Sequence, residues 1–327
     1  MADVLVEGGT IRQVAPNLSA TGATVVDARG RTLLPGLIDA HTHAYRDDAL
    51  AQALVFGVTT ELDMFGDPAK NRALRKQEIA GVATGQADLR SAGTLATVPG
   101  GHGTEYGIPI PTLTRPAEAQ AFVDARVAEG SDYLKIVVED GKPFGDIPTL
   151  SLPTVAALVR AAHARHLIAL VHISTQRDAR AVVAAGADGL AHIFFDEAPA
   201  ADFGAFVASH KAFVIPTLAV TDGMCEKSDG PELAADPALS PYVRVEDARQ
   251  LKNGFPNKLA RALCDDAMAA VRQLVAAHVD ILAGTDALNP MVAHGISLHR
   301  ELELLVRAGL TPTQALTAAT ATPAARF

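Results

Sequence analysis

Leu37-Ile38-Asp39-Ala40-His41-Thr42-His43 is the stretch from which the fold is read. It is a short apolar run that ends on two histidines, and the runs after it repeat the pattern. Residues 57–64, 90–97, 133–139, 168–174, 189–194, 212–220 and 280–287 are further strand candidates, eight in all. Amphipathic, Ala-rich stretches lie between them, at 116–129, 153–165, 176–185, 200–210 and 258–277. Strands alternating with helices predict a parallel sheet. Eight such units predict a closed (β/α)8 TIM barrel over 37–327, in the α/β class. No GxGxxG follows the first strand and no GxxxxGK[ST] occurs, which argues against the nucleotide-binding α/β folds.

Ahead of the barrel, residues 1–36 read as a small β-strand segment. Asp3-Val4-Leu5-Val6, the turn Glu7-Gly8-Gly9-Thr10 and Ile11-Arg12-Gln13-Val14 predict a hairpin. The runs at 23–27 and 32–34 predict further short strands. Two segments break the rhythm: the Gly- and Pro-rich 98–115 after the third strand, and the long polar 221–257 after the seventh. Long loops within a domain are usually functional or mobile, and both lie at C-terminal strand ends, where barrel active sites are built.

Bulk properties narrow the class. The chain has 327 residues, of which 49% are hydrophobic and 20% charged, which suits a large buried core. A net charge of −9 without any basic run excludes the electrostatic footprint of a nucleic-acid binder. No segment offers the roughly 18 consecutive apolar residues of a membrane helix. The first residues lack a basic and then apolar leader, so no signal peptide is expected. Cys225 and Cys264 stand in no metal or redox spacing and are expected to be reduced thiols in a cytoplasmic protein.

Polar, metal-competent residues recur at the strand ends. His41 and His43 close the first strand, Lys135 lies in the fourth, His172 in the fifth, His192 in the sixth, and Asp286 ends the eighth. Residues i and i+2 of a strand point to the same side, so both imidazoles of His41-Thr42-His43 project together and can grip one metal. A lone His-x-His is a weak signal. Supported by His172, His192 and Asp286, it predicts a metal site, and imidazoles with a carboxylate suit zinc among the divalent metals. Lys135 is flanked by Tyr133, Leu134, Ile136, Val137 and Val138. Burial there disfavours the ammonium form. Two readings stand: a lysine paired with an acid such as Asp286, or a neutral amine that takes up CO₂ and becomes an anionic carbamate ligand.

Leu34-Pro35-Gly36-Leu37-Ile38-Asp39-Ala40-His41-Thr42-His43 resembles the opening signature of the amidohydrolase superfamily, and Lys135, His172, His192 and Gly284-Thr285-Asp286-Ala287 match its later positions in order. The loop Gly100-Gly101-His102-Gly103 looks like that of the branch with imidazolonepropionase-like enzymes and metal-dependent prolidases. The resemblance spans roughly 3–327. It implies that His41, His43 and Asp286 hold the more buried of two zinc or other divalent ions, and His172 and His192 the second. Lys135, as N6-carboxylysine, would bridge them together with a hydroxide. Asp286 would shuttle the proton from the attacking hydroxide to the leaving amine. His102 would face the substrate carbonyl. Relatives usually carry more β-strands before residue 3 and after 325, so the small β-layer is expected to be incomplete.

The implied activity is hydrolysis of an amide or peptide C–N bond in a small molecule, dipeptidase- or prolidase-like. Alternatives are hydrolysis of a lactone, carbamate or phosphotriester on the same site, and, from another class, a non-catalytic scaffold. His102, Tyr106, Tyr45 and His294 are the substrate-binding candidates, with Arg46, Glu105, Tyr242 and Arg244 as further polar neighbours. Asp63 is read either as a residue that orients a histidine or as a strand-end cap. Expected partners are the small-molecule substrate and further copies of the chain in a homo-oligomer, with no nucleic acid and no membrane.

Overall fold

The computed structural model describes residues 2–327 apart from 20, 83, 143, 144, 227 and 229. The chain divides into two units, residues 1–35 and 36–327.

In the first unit, β1 (Asp3–Glu7) and β2 (Thr10–Ala15) pair antiparallel, with Glu7 opposite Thr10. Gly8 and Gly9 both have positive φ, +55° and +76°, the conformation a tight two-residue hairpin turn requires. The runs at 23–27 and 32–34 form no strand. A strand needs a ladder partner for its amides, and among the described residues none pairs with them.

The second unit contains two parallel sheets. β3 (Leu37–Thr42), β4 (Val58–Asp63) and β5 (Asp88–Ser91) form one, in that order. β6 (Leu134–Val137), β7 (Ala169–His172), β8 (Gly189–Ala191) and β9 (Phe213–Ile215) form the other. Every residue of β6, β8 and β9 is buried, as expected of parallel strands covered by helices on their outer face. Isolated parallel bridges run between Ala96 and Ile136, Val214 and Ile281, and Thr42 and Ala287. The helices at 119–129, 152–164, 176–184, 203–209 and 261–276 follow the strands as the sequence pattern predicts.

Three expected elements differ. The third strand begins at Asp88 and its ladder ends at Ser91, leaving Ala96 a single bridge. The eighth, 280–287, forms no ladder strand; its bridges are at Ile281 and Ala287, and backbone hydrogen bonds such as Ala40 N–H to the Ala283 carbonyl at 2.8 Å hold it to its neighbours. The seventh stops at Ile215, and Leu218-Ala219-Val220 is the first turn of a helix, Leu218–Met224. All three residues of that turn are buried, and a short apolar run buried on every side does not betray its period. The polar 221–257 segment also folds, with helices Gly230–Ala235 and Val245–Gln250.

Cys225 and Cys264 are joined in a disulfide, which corrects the expectation of free thiols. Backbone pairing brings them together: Leu259 N–H donates to the Met224 carbonyl at 2.8 Å, and Cys225 bridges Leu259 just before the helix that holds Cys264.

The start of the Leu218–Met224 helix rests on a buried acid. Glu301 accepts the Ala219 N–H at 2.7 Å, and burial pushes its pKa up to about 8. Because the folded pKa lies above the unfolded one, the folded state holds the extra proton between about pH 4.5 and 8. Stability therefore falls as pH rises through that window. Glu301→Gln removes this dependence while keeping an acceptor for Ala219. Urea unfolding is expected to show the variant gaining on the wild type from pH 6 to pH 8, by about 1 kcal/mol per unit. A gap that does not change with pH would sink this reading.

Candidate metal centre

His41, His43, Lys135, His172, His192 and Asp286 all line one cavity of about 190 Å³, beside the C-terminal ends of the strands. His41 lies in β3 and is fully buried; His43 follows one residue past the strand end and is partly open. Their Nε2 atoms approach the same oxygen of Asp286, Oδ1, at 3.3 and 3.1 Å. His192 Nδ1 is 4.0 Å from Asp286 Oδ2, and its ring centroid is 4.6 Å from that of His41. Donor atoms of His41, His192 and Asp286 lie within 4.8 Å of one another. The His172 ring is 4.5 Å from His192 and 5.0 Å from His102.

The backbone that presents these groups is specialised. Asp286 N–H donates to the His41 carbonyl at 2.7 Å, which ties the eighth segment to β3. The Asp39 carboxylate accepts from His41 N–H, Thr285 N–H and the Thr285 hydroxyl, at 3.2, 3.0 and 2.7 Å. Gly284 makes this approach possible: a Cβ there would come within 2.8 Å of the His41 backbone and 2.5 Å of Ile215 Cγ2. Asp286 and His192 both sit at positive φ, +62° and +71°. Such a conformation in a residue other than glycine costs of order 1–3 kcal/mol and clusters at functional sites.

The electrostatics favour neutral donors. Burial, with Lys135 and the neighbouring histidines adding to it, holds the His41 pKa well below its ordinary value. His172 is pushed down to about 4, again by burial. Burial lowers Lys135 to about 7 against the attraction of Asp286. Neither ring nitrogen of His41 has a hydrogen-bond partner, nor do His43 Nδ1, Lys135 Nζ or Asp286 Oδ1. Buried polar atoms are normally satisfied. Donor atoms that converge without hydrogen bonds between them are what a cation would fill, so the donor set fits a metal. The alternative for Lys135, a lysine paired with Asp286, has the attraction of that charge behind it but no hydrogen bond at Nζ.

Of the substrate candidates, His102 and Tyr106 line the cavity. His102 Nδ1 is 2.6 Å from Glu105 Oε1. With Glu105 accepting at Nδ1, an electrophilic role needs the doubly protonated ring, whose Nε2–H can then donate. Tyr45 is not in the cavity wall; it stacks behind His43 with ring centroids 6.0 Å apart. His294 lies away from the cavity altogether. It is fully buried, and its Nδ1 meets Glu61 at 2.8 Å, so as a substrate contact it is misplaced. Arg46 and Arg244 both pair with the buried Asp247, at 2.8 and 2.9 Å, and neither they nor Tyr242 line the cavity. Asp63 caps its strand end, accepting from Ala44 N–H at 3.1 Å and the Ser91 hydroxyl at 2.5 Å.

Two polar contacts of the site histidines escaped the sequence reading. Glu139 lies 3.3 Å from His172 Nε2, and Thr217 Oγ1 lies 2.8 Å from His192 Nδ1. Glu139 had a usable signal, since residues 135 and 139 share strand parity. Thr217 had none: it stands at the turn into a helix that the sequence reads as strand.

Comparison with known proteins identifies the family. The amidohydrolase family model matches residues 32–327, and the chain belongs to that family. Imidazolonepropionase of Deinococcus radiodurans is 28% identical over 98% of this chain and 78% of its own length. A dihydroorotase of Leifsonia xyli is 32% identical over 44% of this chain but only 32% of the relative. A dihydroorotase of Streptomyces coelicolor matches over only a tenth of its own length. Among solved structures, a Xaa-Pro dipeptidase with bound methionine superposes with a TM-score of 0.69 at 19% identity, covering 98% of this chain and 82% of that one. Phenylurea hydrolase B gives 0.71 at 22%, over 100% and 83%. These two likenesses speak to the fold.

Proposed function

We propose that the protein is a metal-dependent hydrolase that cleaves an amide or peptide C–N bond of a small molecule at a binuclear centre. The observation that carries this reading is the set of buried donors without partners, His41, His43, Lys135 and Asp286, gathered with His172 and His192 on one cavity. His41, His43 and Asp286 would hold one divalent ion, zinc being the best match to the donors, and His172 and His192 the other. Lys135, with a pKa near 7, has the neutral amine that carbamylation to N6-carboxylysine requires, and the product would link the two. Metals held there would polarise the scissile carbonyl and acidify the attacking water. Asp286 would take the proton from that water and return it to the leaving nitrogen. His102, anchored by Glu105, would donate to the carbonyl oxygen as charge develops there. Apolar groups from Phe65, Leu95, Phe195 and Phe255 complete the wall and favour a substrate with an apolar body.

The three isolated bridges support closure of the two sheets into a (β/α)8 barrel, with the leading hairpin part of a small β-layer. No helix among the described residues is long and apolar enough to cross a membrane. The Cys225–Cys264 bond weighs against a reducing cytoplasm, and alkylation of free thiols at lysis tests whether it forms in the cell.

The test of the reaction is a panel of N-acyl amino acids, Xaa-Pro dipeptides, lactones and aryl phosphotriesters, assayed with and without chelator. Chelator-sensitive cleavage of the C–N substrates is expected. Turnover confined to lactones or phosphotriesters would instead select ester chemistry on the same site.

A further inference from the structure

Neutral imidazole has one N–H and one lone pair, so whatever holds one nitrogen decides what the other can bind. In His192 the neighbour is a hydroxyl, which can donate or accept, and the tautomer stays open. In His172 the neighbour is a carboxylate, Glu139 Oε2, 3.3 Å from Nε2. An ionised carboxylate only accepts, so Nε2 must carry the proton, and Nδ1 is left as the ring's lone pair.

Glu139 is itself held in place. Its other oxygen, Oε1, accepts the Gly141 N–H at 2.6 Å, and its own N–H donates to Thr149 Oγ1 at 2.9 Å. The turn behind this contact depends on Gly141, whose φ is +88° and whose added Cβ would sit 3.0 Å from the Gly145 backbone. Glu139 thus meets His172 from a position fixed at both ends, at the edge of the same cavity.

We propose that Glu139 is a positioning residue of the metal centre, which fixes His172 as the Nε2–H tautomer and leaves Nδ1 to the second metal. This rests on the binuclear reading above. Carboxylates behind ligating histidines raise ligand basicity and fix ring orientation, and their loss typically costs 10–100-fold in metal affinity.

The test compares wild type with Glu139→Gln and Glu139→Ala. Zinc and cobalt(II) are titrated against a competing chelator, and the cobalt(II) spectrum is recorded. One of the two ions is expected to bind about 10–100-fold more weakly in the variants, with the other unchanged. Turnover of the variants should fall at limiting metal and recover with excess metal, with KM unmoved. In metal-free wild type, nitrogen-15 shifts of His172 should report the Nε2–H tautomer, a readout that survives even if the variants fold poorly. Equal affinities in all three proteins, a change in KM alone, or an Nδ1–H tautomer overturns the proposal. If wild type binds two ions while the variants match it, only the role of Glu139 fails. If wild type binds none, the binuclear reading falls with it.

Discussion

Asp286→Asn should lower kcat by about 10³-fold while leaving the fold intact. General acid–base catalysis typically contributes about 10²–10⁴-fold, and an amide cannot take the proton that this role requires. The substitution also replaces a charged donor by a neutral one opposite His41 and His43, so metal affinity should fall with it. The backbone is a fair control. Asp286 sits at φ +62°, a region that asparagine tolerates as well as aspartate does, so strain should not change. Circular dichroism and the melting temperature of the metal-free proteins should therefore agree. Unchanged turnover on a substrate that the wild type cleaves would remove Asp286 from the mechanism.

Lys135→Met should separate activity from stability. A buried amine without a hydrogen-bond partner is a cost to the fold, since its desolvation is offset only in part by the charge of Asp286. Methionine fills a similar volume without that penalty, so the metal-free variant should be as stable as the wild type, or more stable by about 1 kcal/mol. Activity should collapse. Metal polarisation of a carbonyl supplies several kcal/mol. At about 1.4 kcal/mol per decade, losing a linking ligand predicts a fall of about 10³-fold in kcat. Denaturant unfolding and turnover measured side by side check both halves. Destabilisation by several kcal/mol with activity retained would mean that Lys135 is structural.

The sequence made much of this legible for a physical reason. Parallel strands buried on both faces read as apolar runs, and the chemistry of parallel α/β folds gathers at their C-terminal ends. His41, His43, Lys135, His172, His192 and Asp286 therefore stood out as polar residues at matching places, and they meet on one cavity. What was missed depended on contacts that no local pattern encodes. The Cys225–Cys264 bond joins residues 39 apart through the folding of a segment that reads as loop. Leu218–Val220 looked like strand because burial on all sides hides the helical period. His294 looked like a pocket residue because it follows Asp286 by eight positions, yet the chain carries it to a buried pair with Glu61. Glu139 was hidden in plain view at the end of the fourth strand, since a carboxylate after a buried run reads first as the place where the strand meets solvent.

Elemental analysis of the purified protein, prepared without chelator, tests the central claim most directly. About two divalent ions per chain are expected, by analogy with two-metal hydrolase sites, with loss of metal in Asp286→Asn and Lys135→Met. A wild-type protein with no stoichiometric divalent metal would contradict the account at its base.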